Sequence, residues 1–266
     1  MAKLYYNRNG IQIYHGDSVD WLPTVAPASV DLVATSPPYN CGKDYGEHDD
    51  SQDLARYFDW LESVLSAASR GLARHGYLCV NHGNFIGSRE SRIFVPDELC
   101  PILSRCMPFR DWIIWDKGPA SGAAWGNFRT SPRIRAQHEN IYVHGGTVQM
   151  PPSDIEWDEW SKFTTSIWPI STAGIDLSVH PAMMPVEVAR RLCLLYSPAS
   201  GLVCDPFTGS GTTAIACIMT GRRFVGCELS EAYCESAARR CDRELDQGRL
   251  FGSSREPGHV QKNLIA

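Results

Sequence analysis

The sequence predicts an α/β fold, a mostly parallel sheet with helices on both faces. Two observations carry that expectation. Short apolar runs alternate with segments of helical periodicity along the chain. Two turn-forming strings, Thr35-Ser36-Pro37-Pro38-Tyr39-Asn40 and Asp205-Pro206-Phe207-Thr208-Gly209-Ser210-Gly211-Thr212-Thr213, each follow a predicted strand. Ligands of such sheets bind at strand carboxyl ends, and both strings fall there.

The elements follow in order. Residues 11–15 read as a strand, followed by Gly16-Asp17. Residues 30–35 are an apolar run that stops at Ser36-Pro37-Pro38. Prolines donate no ladder hydrogen bonds, so the run is a buried strand ending there. After a polar loop at 41–52, Leu54, Tyr57, Phe58, Leu61, Val64, Leu65 and Ala68 recur at helical spacing, and Gly71 ends that helix. Residues 77–81, 112–115 and 140–144 read as strands. Residues 116–137, rich in Gly, Ser, Pro and Arg, read as loop. Residues 147–175 hold Trp157, Trp160 and Trp168 without a clear period and read as an irregular insertion.

A helix begins at Pro185, a residue suited to a first turn, with Val186, Ala189, Leu192, Cys193 and Tyr196 on one side. Residues 201–204 read as a strand, 212–219 as a helix stopped by Gly221, and 224–227 as a strand. Ser230 can cap a last helix at 231–245. The polar tail from 247 reads as loosely held.

Composition narrows the class. The chain has 266 residues, 43% hydrophobic and 21% charged, enough to bury a core. It has no apolar run of about eighteen residues, and residues 1–10 lack the apolar core of a secretion signal. The expectation is a cytoplasmic protein without a membrane span. None of the ten cysteines forms a C-x-x-C pair. They read as buried, reduced thiols, and no metal site is expected. The net charge of −5 speaks against a uniformly basic nucleic-acid surface. Arg129, Arg133 and Arg135 still form a local basic group, either a phosphate-binding face or a solvated one.

The second string has a ligand-binding logic. Its glycines let the backbone fold tightly on a ligand, and the following helix offers amino-end N–H groups to an anion. Glu228 ends the next strand about twenty positions past Gly209, where an acid accepts from ribose hydroxyls. A tight turn with a surface glutamate is the alternative. Phe207 can pack on an adenine or ribose. Asp17 either accepts from an adenine amine or makes a turn. In the first string, the Ser36 hydroxyl and the Pro37 carbonyl are two acceptors held by a stiff diproline backbone.

Together and in this order, the strings resemble those of the β-class (permuted) DNA amino-methyltransferases, the N4-cytosine and N6-adenine enzymes with a Ser-Pro-Pro-Tyr motif. Gly16-Asp17, Trp115-Asp116-Lys117, Ala124-Trp125-Gly126-Asn127-Phe128, Gln137-His138-Glu139-Asn140 and His180-Pro181 with Pro185-Val186-Glu187 are similar to further blocks of that family. The resemblance spans about 11–245. It implies a Rossmann-like methyltransferase sheet of seven strands, mostly parallel, with one antiparallel edge hairpin. S-adenosylmethionine is the implied cofactor and double-stranded DNA the implied partner.

Ser36, Pro37, Pro38 and Tyr39 are the implied catalytic residues. Asp17, Ser36, Pro181, Asp205, Phe207, Gly209, Gly211, Thr212 and Glu228 are the implied cofactor-binding residues. Ala182-Met183-Met184 departs from the polar stretch common in the family. The expected organisation is one methyltransferase domain at 1–245, with a catalytic half at 1–146 and a cofactor half at 180–245. Target-recognition insertions fall at about 116–135 and 147–178, and a tail at 246–266. Arg129, Arg133 and Arg135 are the candidate DNA contacts.

The chemistry follows from the residues. The amine of cytosine or adenine is a poor nucleophile because its lone pair is delocalised into the ring. Acceptors at Ser36 and Pro37 localise that pair, and Tyr39 offers a stacking face worth about 1–3 kcal/mol. The methyl group moves by direct displacement, so no nucleophilic cysteine is needed, and the base must leave the duplex. Serine in the first motif position leans toward N4-cytosine. N6-adenine stays open, as does a catalytically idle DNA-binding regulator. A dinucleotide dehydrogenase fits poorly, since Ala214 stands where its third glycine belongs. His138 and Glu139 read as structural hydrogen-bonding residues. Monomer or homodimer, and the presence of a companion restriction endonuclease, are left open.

Overall fold

The computed structural model describes residues 2–42, 50–87, 92–118, 136–150, 153–172 and 184–250. The chain opens with β1 (Lys3–Arg8), β2 (Ile11–His15) and the short α1 (Ser18–Trp21), then β3 (Val30–Thr35), α2 (Leu54–Gly71) and β4 (Leu72–His82). A two-residue ribbon, β5 (Phe85–Ile86) with β6 (Ile93–Phe94), leads into α3 (Val95–Cys106). The hairpin β7 (Phe109–Asp116) and β8 (His138–Gly145) follows, then α4 (Trp157–Phe163) and β9 (Ile167–Pro169). The chain continues through α5 (Val186–Tyr196), β10 (Leu202–Asp205), α6 (Thr212–Thr220), β11 (Arg223–Glu228) and α7 (Glu231–Leu250).

Strand alternation builds two cores. Leu32 and Ala34 of β3, Ile141 and Val143 of β8, and Val203 of β10 point to one face, where α5, α6 and α7 bury Leu192, Ala216 and Ala237. Their neighbours Val33, Tyr142 and Cys204 point to the other face, against Leu61 and Leu65 of α2 and Leu99 of α3. Seven of the ten cysteines are buried in these layers.

The sheet order is β1-β2-β11-β10-β3-β4-β8-β7-β9. From β2 to β4 the neighbours are all parallel. β8 runs antiparallel to β4 and β7. The crossover β3–α2–β4 moves one way along the sheet, and β10–α6–β11 moves the other. β3 and β10 are neighbours, so a crevice opens at their carboxyl ends, where the chain departs in opposite directions.

Several expectations change. The sheet has nine strands rather than seven, because β1 pairs antiparallel with β2 and β9 pairs parallel with β7. An antiparallel hairpin, β1–β2, does form one edge, and the antiparallel pair β7–β8 lies one strand in from the other. β1 is largely half-exposed, and its polar and aromatic residues hide the strand signal. Residues 147–175 are not irregular throughout, since α4 and β9 lie within them. Seven and three residues are too short to display a period. β9 seats Trp168 in the core, its indole N–H donating to Phe163 O at 2.9 Å. Pro185 precedes α5 as its N-cap rather than entering the first turn. The buried side of α5 carries Val188, Ala189, Leu192, Cys193 and Leu194, with Val186 and Tyr196 only partly covered. α7 continues to Leu250, past the expected end at 245.

Candidate active site

Thr35 ends β3 and Asp205 ends β10, and a hydrogen bond joins them. Thr35 Oγ1 donates to Asp205 Oδ1 at 2.7 Å. The same carboxylate accepts from the Phe207 N–H at 3.0 Å and from Thr213 Oγ1 at 2.7 Å. Burial pushes the Asp205 carboxyl above the usual aspartate range, against those three donors. Asp205 thus locks the two strings side by side. Beyond it both turns open into one groove, about 1060 Å³ including its mouth, lined by Ser36, Pro37, Pro38 and Tyr39 on one side and by residues 205–210 on the other.

The glycine loop is held from behind. Gly211 has φ +87°, and a Cβ there would come within 2.9 Å of Ala237 Cβ on α7. Glycine meets both demands. Arg240 of α7 donates to Ser210 O and Oγ at 2.6 and 2.9 Å. No side chain caps the amino end of α6, and its first residues, Thr212 and Thr213, line the groove. That helix end offers main-chain donors to an anion.

Glu228 closes the loop's far side. Its oxygens accept from the Gly209 N–H at 2.7 Å and the Ser230 N–H at 2.9 Å, and burial raises its pKa despite both bonds. Each oxygen keeps a lone pair for a further donor. Phe207 packs with its ring centroid 5.3 Å from that of Trp60, and the buried Met184 also lines the groove. Asp17 serves as N-cap of α1, accepting from the Val19 N–H at 2.8 Å, and also lines the groove.

The diproline turn is equally constrained. Tyr57, fully buried on α2, donates to Pro38 O at 2.8 Å. The Tyr39 ring stacks on His82 with centroids 4.3 Å apart, so one of its faces belongs to the protein. Tyr39 Oη donates to Glu139 Oε2 at 2.9 Å and accepts from Asn81 Nδ2 at 2.6 Å. Ser36 Oγ lies 3.0 Å from Tyr39 Oη. Lys117 Nζ donates to Glu139 Oε1 at 2.9 Å.

Burial alone would push the Glu139 carboxyl up. The Lys117 charge and the donors on Asn81, Lys117 and Tyr39 outweigh it and hold the carboxyl below the usual glutamate range. Burial pushes His82 down to about 4, so it is neutral near pH 7.

All four residues 36–39 and Asp17, Asp205, Phe207, Gly209, Thr212 and Glu228 line the groove, and Gly211 sits in its supporting loop. Pro181, Arg129, Arg133 and Arg135 lie outside the described residues. Sequence reasoning missed Tyr57, Asn81, His82 and Lys117, and it gave Glu139 a purely structural part. Asn81 and His82 end β4, the neighbour of β3, so a strand-end rule applied to every predicted strand would have found them. Among the described residues no three His, Cys, Asp or Glu side chains cluster as metal ligands, and no helix is long and apolar enough to cross a membrane.

Known proteins resemble this chain in sequence and in fold. Residues 30–239 match the DNA methylase family of N6- and N4-methyltransferases. The Type II methyltransferase M.ScaI of Streptomyces caespitosus is 28% identical over 92% of this chain and 85% of its own. The DNA adenine methyltransferase YhdJ of Escherichia coli K12 is 24% identical over 86% of this chain and 82% of its own. Among solved structures, TTHA0409 of Thermus thermophilus, crystallised with S-adenosyl-L-methionine, superposes with a TM-score of 0.69. It is 25% identical, over 88% of this chain and 95% of that one.

Proposed function

The chain belongs to the DNA methylase family of N6- and N4-methyltransferases, and on that footing we propose that it methylates the exocyclic N4 of cytosine in DNA, with S-adenosylmethionine as donor. One observation carries the reading: the Thr35–Asp205 bond sets the Ser-Pro-Pro-Tyr turn and the glycine loop on the two walls of one groove.

The residues present fit the cofactor. The uncapped end of α6 suits the carboxylate of its amino-acid part, the Glu228 lone pairs suit ribose hydroxyls, and the Phe207 ring gives an apolar face for adenine. When bound, S-adenosylmethionine supplies a methyl group on a positively charged sulfur. Ser36 Oγ and the Pro37 carbonyl accept from the target amine and localise its lone pair. Tyr57 holds the turn rigid, so these acceptors need little reorganisation. Tyr39, backed by His82, supports the extruded base. The segments 116–135 and 147–178, with Arg129, Arg133 and Arg135, supply DNA contacts and target choice.

Ser36 in the first motif position favours cytosine. A second reading, N6-adenine methylation on the same scaffold, is favoured by the similarity to YhdJ. Incubating purified protein with plasmid DNA and labelled S-adenosylmethionine, then digesting to nucleosides, separates the two by mass spectrometry. N4-methylcytosine is the expected product; N6-methyladenine sinks the cytosine assignment. Ser36→Ala is expected to lose about 10²–10³-fold in turnover while keeping its calorimetric affinity for the cofactor. Wild-type turnover in that variant removes Ser36 from the mechanism.

A further inference from the structure

We propose that Glu139 is the positioning residue that sets Ser36 as a hydrogen-bond acceptor and the terminal acceptor of the proton leaving the target amine, reached through the Ser36 and Tyr39 hydroxyls. The proposal rests on the amino-methyltransferase reading above and adds to it a fate for the proton.

The hydrogen-bond directions follow from the donors. Asn81 Nδ2 donates to Tyr39 Oη at 2.6 Å and to Glu139 Oε2 at 2.9 Å. Tyr39 has one hydroxyl hydrogen, and it points to Glu139 Oε2 at 2.9 Å. The 3.0 Å contact between Ser36 Oγ and Tyr39 Oη therefore takes its hydrogen from Ser36. With that hydrogen turned toward Tyr39 and one lone pair met by a longer contact from Asn81 Nδ2 at 3.4 Å, Ser36 keeps a lone pair for the groove. Its hydroxyl then accepts from an amine rather than donating to it.

The amide of Asn81 supports this polarity. The residue is 1% exposed, and its Oδ1 is buried without a hydrogen-bond partner. An orphaned buried acceptor is destabilising, so something must hold the amide in this orientation. Rotating the amide would aim Oδ1 at the Glu139 carboxylate, which is worse. The ionised carboxylate thus fixes the amide, and the amide fixes Tyr39.

The chemical balance is complete. The amine lone pair forms the nitrogen–carbon bond as the carbon–sulfur bond breaks, with that electron pair remaining on sulfur. Nitrogen then carries one proton too many. It passes to Ser36 Oγ as the Ser36 proton passes to Tyr39 Oη and the Tyr39 proton to Glu139 Oε2. One positive charge on sulfur and one negative charge on Glu139 disappear together. Lys117 faces Glu139 from the segment after β7, His82 from the end of β4, Tyr39 from the turn after β3 and Asn81 from β4.

The test compares single-turnover methyl transfer against pH in the wild type, Glu139→Gln, Tyr39→Phe and Lys117→Met, with cofactor affinity by calorimetry. Glu139→Gln is expected to bind the cofactor within about twofold of wild type, transfer about 10²-fold more slowly, and lose the acid limb of the profile. Tyr39→Phe breaks the relay while leaving the Glu139–Lys117 pair, and is expected to show the same flat profile. Lys117→Met removes the charge that holds the carboxyl down, so its acid limb moves to higher pH. Carbon NMR of the Glu139 carboxyl in cofactor-free wild type should show a titration below the usual glutamate range, and Lys117→Met should raise it.

Wild-type rate and profile in either Glu139→Gln or Tyr39→Phe overturn the proposal. So does an unmoved acid limb in Lys117→Met, even should Glu139→Gln fail to fold. None of these outcomes touches the methyltransferase reading, which fails only when the wild type leaves DNA unmethylated.

Discussion

His82 is the residue whose environment has the clearest thermodynamic consequence. It is fully buried beneath Tyr39, 2.9 Å from Tyr57 Oη and 3.0 Å from Gly83 O. Its pKa falls from 6.5 to about 4 because burial disfavours the imidazolium, while Glu139 and Asp50 oppose the shift. Between those values the unfolded chain binds the extra proton, so this contribution is intact above about pH 6.5 and is lost as pH falls toward 4. His82→Gln lacks the titration. The stability gap between wild type and variant should narrow by up to about 3 kcal/mol from pH 7 to pH 4 in urea unfolding. A constant gap would show that His82 takes up its proton in the fold as readily as in the unfolded chain.

Thr35→Val probes the other side of the turn. It strips one donor from the buried Asp205 carboxylate, and about 1–3 kcal/mol of stability should go with it, along with cofactor affinity. Unchanged denaturation and calorimetry would mean that the bond does not hold the two strings together.

Legibility in the sequence at this scale followed chemistry. Ser36, Phe207 and Glu228 stood out because they sit in or after strings with a known physical use. Asn81 and Lys117 did not, because their importance lies in three-dimensional partners such as Glu139. Asp205 was read as a cofactor contact; it lines the groove, and its carboxylate also accepts from Thr35, Phe207 and Thr213, partners the sequence did not reveal.

Elements explain why the groove keeps its shape. β11 passes behind the glycine loop, bonded to it through Cys227 O and Glu228, with Gly226 facing Thr208. A Cβ at 226 would collide with Thr208 Oγ1 and sit 2.6 Å from the Phe224 ring. Gly226→Ala should therefore displace the loop, destabilise the fold by about 1–3 kcal/mol and weaken cofactor binding, read by thermal denaturation and calorimetry. Retained affinity would show that the loop tolerates movement of β11.

Long periodic elements were readable: α2 shows its seam in seven buried positions, and β3 announces its end with two prolines. The missed ones were short or half-exposed. β1 offers an exposed, polar pattern, and β9 is three residues ending in proline. Such strands exist because an already formed sheet edge pairs with them, and a window of local sequence contains no trace of that edge.

At the scale of the whole molecule, the order of the two strings along the chain is immaterial to the site. β3 and β10 are 170 residues apart at the Thr35–Asp205 contact, yet parallel pairing makes them neighbours. Their crossovers diverge, and the crevice between them receives both turns. A crystal structure of the protein with S-adenosylmethionine tests this most directly. The account predicts the amino-acid part at the start of α6, the ribose at Glu228, and the sulfonium methyl opening toward Ser36 Oγ and the Pro37 carbonyl. A cofactor bound elsewhere, or one whose methyl faces away from that diproline turn, contradicts it.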